Sequence, residues 1–325
     1  MPRYLLIFVL MSSQTAFGQE FSKYLAEIRL TAIETGISAR TVDAAFTNLQ
    51  PDERVIGFDR RQPEFVQTFE EYLAARVSDF RKREARKLFN EHTALLSEIE
   101  REYQVDANYI VAFWGLETSF GRHQGKYMII RSLATLGYDQ RRSSFFSKEL
   151  IHALKILDEQ HISADQFVGA WAGAMGQAQF MPSSFLKYAV DKDGDGRKDI
   201  WHSRADIFAS IANYLQKAGW RLNKGWGRAT EVVGGDWLEL VEPEPDSRCL
   251  ALRYHTKKFA REYWADAGFE VTGLDPELNY SLILPQVSDR SNYLVGGNFR
   301  AILSYNCANK YAVSVGLLAD HILQK

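Results

Sequence analysis

Apolar residues recur at helical spacing along most of this chain, and the pattern predicts a mainly helical protein. Phe21, Leu25 and Ile28 share one stripe of a helix near the start, and residues 62–103 hold long runs of good helix formers with a similar stripe. Helices punctuated by glycine follow up to about residue 220. Helical spacing returns at residues 299–324, so helices are expected in both halves of the chain.

The pattern changes after about residue 227. Three short runs are prone to form strands, Glu231–Val233, Cys249–Tyr254 and Tyr280–Leu284, and glycine and proline residues separate them. We therefore predict a small β subdomain at residues 229–291. The fold class expected from these patterns is mainly α, of the α+β type.

Composition narrows the class of protein without identifying it. The chain has 325 residues, 46% hydrophobic and 25% charged, which is ordinary for a globular protein of two or three domains. A formal net charge of −2 argues against nucleic acid as a partner. A disulfide between Cys249 and Cys307 and a pair of buried thiols are both open, because the sequence does not show whether their Cα atoms approach each other.

The first residues have the pattern of an export signal. Arg3 precedes the apolar run Tyr4–Met11, and Ala16–Gly18 forms a small-x-small cleavage site. We predict a signal peptide at residues 1–18; the alternative is a short buried strand or helix. The run is too short to span a bilayer. We therefore expect an exported, soluble protein without a membrane span.

One carboxylate lies within an apolar helical stretch. Glu117 follows Tyr109–Leu116, where partial desolvation would raise the pKa of a glutamic acid. A carboxyl that stays protonated near neutral pH can protonate the oxygen that leaves when a glycosidic bond breaks. The alternative is a glutamate on the wet face of an amphipathic helix, and this segment alone does not separate the two.

A second unusual segment combines small residues with amides. Trp171–Met181 reads WAGAMGQAQFM, too rich in glycine and glutamine for an ordinary core helix. Gln177 and Gln179 suit sugar hydroxyl and acetamido groups, and Trp171 and Phe180 could stack on sugar faces. The alternative is a tight helix–helix crossing that uses the small residues only for packing.

An acidic loop follows the pattern of a calcium-binding EF-hand. In Asp191–Ile200, aspartate occupies positions one, three, five and nine, and glycine occupies position six. Position twelve is His202 instead of glutamate, and Asp206 could close a longer loop. Oxygen ligands favour Ca²⁺, which would stabilise the fold. The alternative is an Asp/Gly turn that binds no metal.

Together these segments give the chain a resemblance to the lytic murein transglycosylase B family, glycoside hydrolase family 103, in its soluble forms. The resemblance covers nearly the whole chain after residue 18. It rests on several long motifs: Gly115–Gly121, Ala172–Ser184, Asp59–Phe65, Ser132–Tyr138, Asp191–Trp201, Ala212–Leu215 and Tyr305–Asn306.

The resemblance implies a lysozyme-like α-helical core with a helical N-terminal region and a small β-sheet insertion. The expected parts are a helical region at 19–105, a catalytic core at 106–228 with the EF-hand-like loop at 191–206, the β insertion at 229–291, and the rest of the core at 292–325.

The same resemblance implies a periplasmic enzyme that cleaves the MurNAc–GlcNAc β-1,4 bond of peptidoglycan. The product would be a 1,6-anhydro-MurNAc end, formed without water. Glu117 would be the lone acid and base, protonating the leaving oxygen and then accepting the proton of the muramoyl 6-hydroxyl. The expected partners are glycan strands, and a monomer is expected. Two alternatives remain: a hydrolytic muramidase that uses the same glutamate, and a weakly active, calcium-stabilised wall-binding protein.

The resemblance also assigns residues. Four match family positions that line the substrate cleft: Gln179, Tyr214, Asn306 and Tyr311. Five match the family's calcium loop: Asp191, Asp193, Asp195, Arg197 through its carbonyl, and Asp206. One position departs from the family, because Ala170 stands where a serine is expected to contact the catalytic glutamate. The orientation of Glu117 is then left to other groups, such as Ser119 or a tyrosine, and an altered rate is expected.

Overall fold

The computed structural model describes residues 5–61, 67–139, 141–231, 237–241, 249–283 and 292–324, with the backbone alone for 5–18, 61 and 238. The helices are α1 Leu5–Glu34, α2 Ala39–Phe46, α3 Glu53–Arg61, α4 Phe69–Arg76, α5 Asp79–Glu91, α6 Thr93–Tyr103, α7 Ala107–Thr118, α8 Ile129–Tyr138, α9 Ser143–Asp158, α10 Pro182–Tyr188, α11 Arg204–Lys217, α12 Arg261–Asp266, α13 Gly297–Tyr305 and α14 Asn309–Leu323. The strands are β1 Tyr127–Met128, β2 Val168–Gly169, β3 Gly227–Thr230, β4 Phe259–Ala260, β5 Asn279–Ile283 and β6 Asn292–Val295. The prediction of a mainly helical protein with a small β component is confirmed.

The chain divides into two compact units. The first contains residues 1–65 and 123–206, and the second contains residues 66–122 and 207–325. The core predicted at 106–228 therefore contributes residues to both units. None of the described helices is long and apolar enough to cross a membrane.

The first unit is built around α8 and α9, with α1 packed beside them. The Tyr24 hydroxyl of α1 lies 2.8 Å from Ser147 Oγ of α9. This contact depends on Gly137, since a Cβ there would lie 2.1 Å from the Tyr24 hydroxyl. The strands β1 and β2 form a two-stranded antiparallel sheet, in which Tyr127 pairs with Gly169.

The second unit packs α7 against α14 and α5 and carries a separate sheet. Its four antiparallel strands have the order β3-β6-β5-β4. A buried aromatic and aliphatic cluster supports the sheet and consists of Trp264, Phe269, Leu274, Tyr280, Leu282 and Leu294. Strands β4 and β5 lie within the stretch 229–291 where a small β subdomain was expected, whereas β3 begins two residues before it and β6 follows it.

One of the three predicted strand runs differs from the structure. Leu250–Tyr254 forms a short 3₁₀ helix, so the strand prediction for Cys249–Tyr254 is wrong. The helical turn leaves Leu250 and Tyr254 more than two fifths exposed, whereas a strand needs a packed face to stabilise it. Val232, Val233 and Leu284 lie outside the described residues, while residues 280–283 of the third run belong to β5, Asn279–Ile283.

The two open questions at the cysteines and the first residues have different outcomes. Cys249 and Cys307 form a disulfide, with their Cα atoms 5.3 Å apart. Residues 1–4 of the predicted signal peptide lie outside the described residues. Its other residues, 5–18, form the start of α1. The signal peptide stays a prediction.

Candidate active site and metal centre

Glu117 lies near the end of α7 and is the one residue of that helix that is not buried. Every other residue of α7, which is described over its whole length, is buried. The helix therefore has no wet face, and a glutamate on the wet face of an amphipathic helix is not what the structure shows. After Thr118 the chain turns sharply, with Ser119 and Phe120 in the left-handed region at φ 51° and 62°. The half-buried carboxyl stands at this turn.

Asp106 directly precedes α7 but does not cap it through its side chain. Its carboxylate accepts hydrogen bonds from Trp220 Nε1, at 2.7 Å, and from Asn223 N, at 3.0 Å. The Glu100 carboxylate instead accepts the Ala107 amide, at 2.7 Å. These bonds fix the start of the helix within the second unit.

Tyr311 is the residue that contacts the candidate acid. Its hydroxyl donates a hydrogen bond to Glu117 Oε1. Tyr311 lies in the first turn of α14 and is 5% exposed. Burial, and then the adjacent Glu117 carboxylate, raise the pKa of Tyr311 well above its ordinary value, so this hydroxyl keeps its proton and acts as a donor.

Two further tyrosines of the second unit, Tyr305 and Tyr214, pack against each other. The rings of Tyr305 and Tyr214 have centroids 4.6 Å apart, and the Tyr214 hydroxyl donates to the Ser304 carbonyl at 2.5 Å. Burial is the main cause that raises the pKa of Tyr305, and the charge of Glu117 adds to it. Tyr305 and Tyr311 of the second unit thus both interact with Glu117 while their pKa values are raised well above the ordinary value.

Asn306 directly follows Tyr305 and is exposed. Its backbone amide donates to the Ile302 carbonyl at 3.2 Å and closes α13. Of the residues predicted for the cleft, Tyr214, Asn306 and Tyr311 therefore belong to the unit that contains Glu117. Sequence reasoning did not assign a role to Tyr305, although its place beside Asn306 in a family motif was a usable signal.

Gln179 belongs to the first unit and is held by backbone carbonyls. Its side-chain amide donates to Gly176 O at 2.9 Å and to Gln124 O at 3.2 Å. The residue adopts a left-handed backbone, φ 49°, in a tight turn where Met175 pairs with Phe180. Because its amide hydrogens are engaged, the side chain offers a ligand its carbonyl oxygen.

The rest of the Gly/Gln segment is structural. Phe180 is 2% exposed, so the expectation that it stacks on a sugar is wrong. Gln177 is also buried; its amide donates to Trp201 O at 2.6 Å, and its oxygen accepts from Arg204 at 2.6 Å. The segment forms an irregular turn, and no helix–helix crossing is built from it. Trp171 is half-buried, with its ring centroid 6.1 Å from that of Phe58.

The acidic loop brings three carboxylates together in the first unit. Asp191, Asp193 and Asp206 each place an oxygen within 4.8 Å of the others. Asp206 is buried, and desolvation raises its pKa despite hydrogen bonds from the Lys192 and Asp199 amides. These three aspartates form a group that could hold a metal ion, and a set made only of oxygen donors suits a hard cation.

The other predicted ligands lie elsewhere in the loop. The Asp195 carboxylate, which is outside the group of three, accepts the Arg197 amide at 2.8 Å. His202, at the position where an EF-hand has glutamate, hydrogen-bonds through its amide to Asp199 Oδ1 at 2.8 Å. Asp206 thus takes the place that the longer-loop interpretation gave it.

Comparisons with known proteins show which family the chain belongs to. Residues 20–320 match the family model described as the transglycosylase SLT domain. Membrane-bound lytic murein transglycosylase B of Escherichia coli (strain K12) is 33% identical over 239 residues, which are 72% of this chain and 62% of that protein. The chain therefore spans less than two thirds of that relative's length.

Solved structures resemble most of the chain. SltB3 from Pseudomonas aeruginosa, in complex with NAG-anhNAM-pentapeptide, is 39% identical with a TM-score of 0.84, over 94% of this chain and 80% of that one. The Escherichia coli lytic transglycosylase Slt35, in complex with calcium, is 24% identical with a TM-score of 0.73. This match covers 93% of this chain and 92% of Slt35. The second likeness bears on the fold alone. Both agree with the predicted lysozyme-like fold class.

Proposed function

The chain belongs to the transglycosylase SLT domain family, and from this premise we propose that it is a lytic transglycosylase of peptidoglycan. Its substrate would be the MurNAc–GlcNAc β-1,4 bond, and its product a 1,6-anhydro-MurNAc end. The observation that carries the proposal is the hydrogen bond from Tyr311 to Glu117, at the one unburied position of α7.

The first step is protonation of the leaving oxygen by Glu117. Because Tyr311 donates to Oε1, that oxygen is an acceptor, and the transferable proton resides on Oε2. The proton passes from Oε2 to the glycosidic oxygen as the bond to C1 breaks. The electron pair of that bond leaves with the GlcNAc oxygen, which departs as a neutral hydroxyl.

The second step returns the proton to the same carboxylate. Glu117, now an anion, accepts the proton of the muramoyl 6-hydroxyl while that oxygen bonds to C1 and closes the anhydro ring. Tyr311 stabilises the anion between the two steps by its hydrogen bond. One carboxylate is sufficient because the acetamido group of the substrate stabilises the positive centre at C1.

We propose that sugar groups contact the cleft residues assigned by resemblance. Gln179 would accept a hydrogen bond at its carbonyl oxygen, since its amide hydrogens are engaged. Tyr214 and Asn306 would contact substrate beside Glu117. The complex of SltB3 with NAG-anhNAM-pentapeptide, a relative 39% identical, supports this class of ligand. We propose a periplasmic location, supported by the class of substrate and by the predicted signal peptide.

We propose that the acidic loop binds Ca²⁺ as a structural ion. Asp191, Asp193 and Asp206 would hold it, with Asp195 and the Arg197 carbonyl as the further predicted ligands. The loop fits a cation because three carboxylates repel one another at short range and one of them, Asp206, is buried. A bound cation would neutralise that repulsion and stabilise the first unit.

Digestion of purified murein sacculi tests the function. Wild type should release muropeptides with anhydro ends, and Glu117→Gln should release almost none. Glu27→Gln on the exposed face of α1 is a matched control and should leave the rate unchanged. If Glu117→Gln digested sacculi as fast as wild type, the proposed acid would be wrong.

Product masses separate this function from that of a muramidase with the same glutamate. An anhydro end is lighter than a reducing end by one water, because water does not enter the reaction. Anhydro products throughout an early time course support the proposal. Reducing ends from the first time point would identify a hydrolase. If no products formed, the wall-binding alternative would be favoured.

A further inference from the structure

Residues 305–311 run from the last residue of α13 to the first turn of α14, and we call them the connection. The connection begins and ends with tyrosines that interact with Glu117. Between these tyrosines, Cys307 and Asn309 contact a different partner, the segment 249–255. Within one short stretch, the residues that anchor the chain therefore lie between residues of the candidate site.

The anchoring contacts are one covalent bond and two hydrogen bonds. Cys307 is bonded to Cys249, with Cα atoms 5.3 Å apart. Asn309 Oδ1 lies 2.9 Å from His255 Nε2, and since an amide oxygen only accepts, the histidine donates. Asn309 Nδ2 donates to Ala251 O at 3.1 Å. We call the disulfide, Asn309 and His255 the clamp.

The clamp is attached to the sheet of the second unit. Thr256 follows His255 and donates its amide to Leu282 O at 3.0 Å, while Leu282 N donates to Thr256 Oγ1 at 2.9 Å. His255 also bridges to Ile283 of β5. Leu282 is 1% exposed and belongs to the buried cluster beneath the sheet. The clamp therefore joins the connection 305–311 to a packed core.

We propose that the clamp positions Tyr305 and Tyr311 on Glu117, and that turnover depends on the disulfide and on Asn309 for this reason. The β insertion thereby acquires a role in turnover through the residues that it positions. The consequence for turnover rests on the proposed function, whereas the consequence for the geometry of residues 305–311 does not. Cys249, Cys307, Asn309 and His255 are positioning residues.

Two readouts on one set of variants test the clamp. The variants are the double replacement Cys249→Ala/Cys307→Ala and the single replacement Asn309→Ala. Hydrogen exchange should become faster at the amides of residues 308–313 in both. The kcat for release of anhydro muropeptides should fall roughly tenfold to a hundredfold, with a smaller change in KM, because a small misplacement of a catalytic group costs rate more than binding.

Two controls separate positioning from a general loss of stability. Phe269→Leu removes volume from the buried cluster under the sheet and changes no residue of the clamp. If its thermal midpoint falls as far as that of the clamp variants, it should still retain the wild-type kcat. A thiol reductant should lower the kcat of wild type, reoxidation should restore it, and the same reductant should leave the double variant unchanged.

The outcomes are distinct. Unchanged exchange at residues 308–313 in the clamp variants would overturn the proposal, and so would faster exchange with a wild-type kcat. A fall in kcat that Phe269→Leu reproduces would also overturn it. If wild type released no anhydro product, the proposed function would fail, and the exchange data would still decide whether the clamp holds the connection. If the double variant did not fold, Asn309→Ala and reduced wild type would decide.

Discussion

The Tyr311 hydroxyl donates to Glu117 Oε1 across 194 positions of sequence. The bond joins the first turn of α14 to the last turn of α7, two helices that pack against each other in the second unit. It also gives the glutamate a fixed partner in a chain that has Ala170 where its relatives are expected to have serine. A tyrosine was one of the groups predicted from the sequence to orient Glu117 in the absence of that serine.

Replacing this tyrosine should reduce turnover more than stability. In Tyr311→Phe the ring remains buried while its bond to Glu117 is lost, so kcat should fall roughly tenfold to a hundredfold. The free energy of unfolding should fall by only about 1 kcal/mol, the usual net contribution of one hydrogen bond. Initial rates on sacculi and urea denaturation measure the two quantities.

Tyr24→Phe is the matched control for this change. Its hydroxyl, which lies 2.8 Å from Ser147 Oγ in the first unit, is also lost without loss of the ring. It should cost similar stability and leave kcat unchanged. Equal losses of kcat in the two variants would show that the Tyr311 bond has no special place in the reaction.

Calcium should raise the thermal stability of the protein through the acidic loop. A ligand that binds only the folded state adds about 2.7 kcal/mol at one hundred times its Kd. Thermal midpoints should therefore rise with added Ca²⁺ and fall with a chelator. Asp206→Asn should abolish this response, because it removes the buried charge of the group of three.

Asp165→Asn provides the control for charge. It removes one negative charge from an exposed residue of the same unit, outside the loop. Its thermal midpoint should respond to Ca²⁺ as wild type does. A response that survives in Asp206→Asn would place the cation elsewhere.

Local motifs allowed much of the fold to be predicted, whereas long-range contacts did not. Pro182 marks the start of α10, and Asp106 directly precedes α7, because the residues that favour helix starts act on their own neighbours. The partner of Cys249 was left open because a disulfide depends on the distance between residues far apart in sequence. The structure supplies that distance.

The candidate site shows the same division. Glu117 and Gln179 stand out in the sequence because a carboxylate in an apolar run and a glutamine among glycines are unusual there. Phe180 could not be separated from a sugar-stacking residue, since an aromatic ring serves a core and a binding face equally well. The short turn that pairs its backbone with Met175 buries it. Asn309 carried no local signal.

Alkaline pH should unfold the second unit before its buried tyrosines ionise. Burial is the main cause that raises the pKa of Tyr109, Tyr305 and Tyr311 well above the ordinary value of about 10. A raised pKa in the folded state means that folded protein binds more protons than unfolded protein. The stability from these groups is therefore fully present below about pH 10 and is lost as pH rises through the folded-state pKa values.

A titration that follows phenolate absorbance together with circular dichroism measures this effect. The chain has 15 tyrosines, and those that are exposed should ionise without change in dichroism. At least Tyr109, Tyr305 and Tyr311 should ionise only as the helical signal is lost. Tyr109→Phe should reduce the absorbance change of that later step. Ionisation of every tyrosine with the helical signal intact would contradict the prediction.

Gly316 should not tolerate alanine, although alanine favours helices. Gly316 lies within α14, where a Cβ would be 2.3 Å from the ring of Trp226. That ring is 1% exposed and donates to Asp320 at 2.9 Å, so it has little room to move. Helix propensity alone would make Gly316→Ala about 1 kcal/mol more stable. Overpacking should reverse the sign and destabilise the protein by about 1–3 kcal/mol.

Gly297→Ala is the matched comparison, because it begins α13 and a Cβ there meets no atom within 4 Å. Urea denaturation should show a free energy of unfolding within about 0.5 kcal/mol of wild type for this variant, as for other surface changes. Destabilisation by Gly316→Ala alone would identify the approach of α14 to Trp226 as the cause. Equal effects in the two variants would show that backbone freedom, and not contact with the indole, determines the preference for glycine.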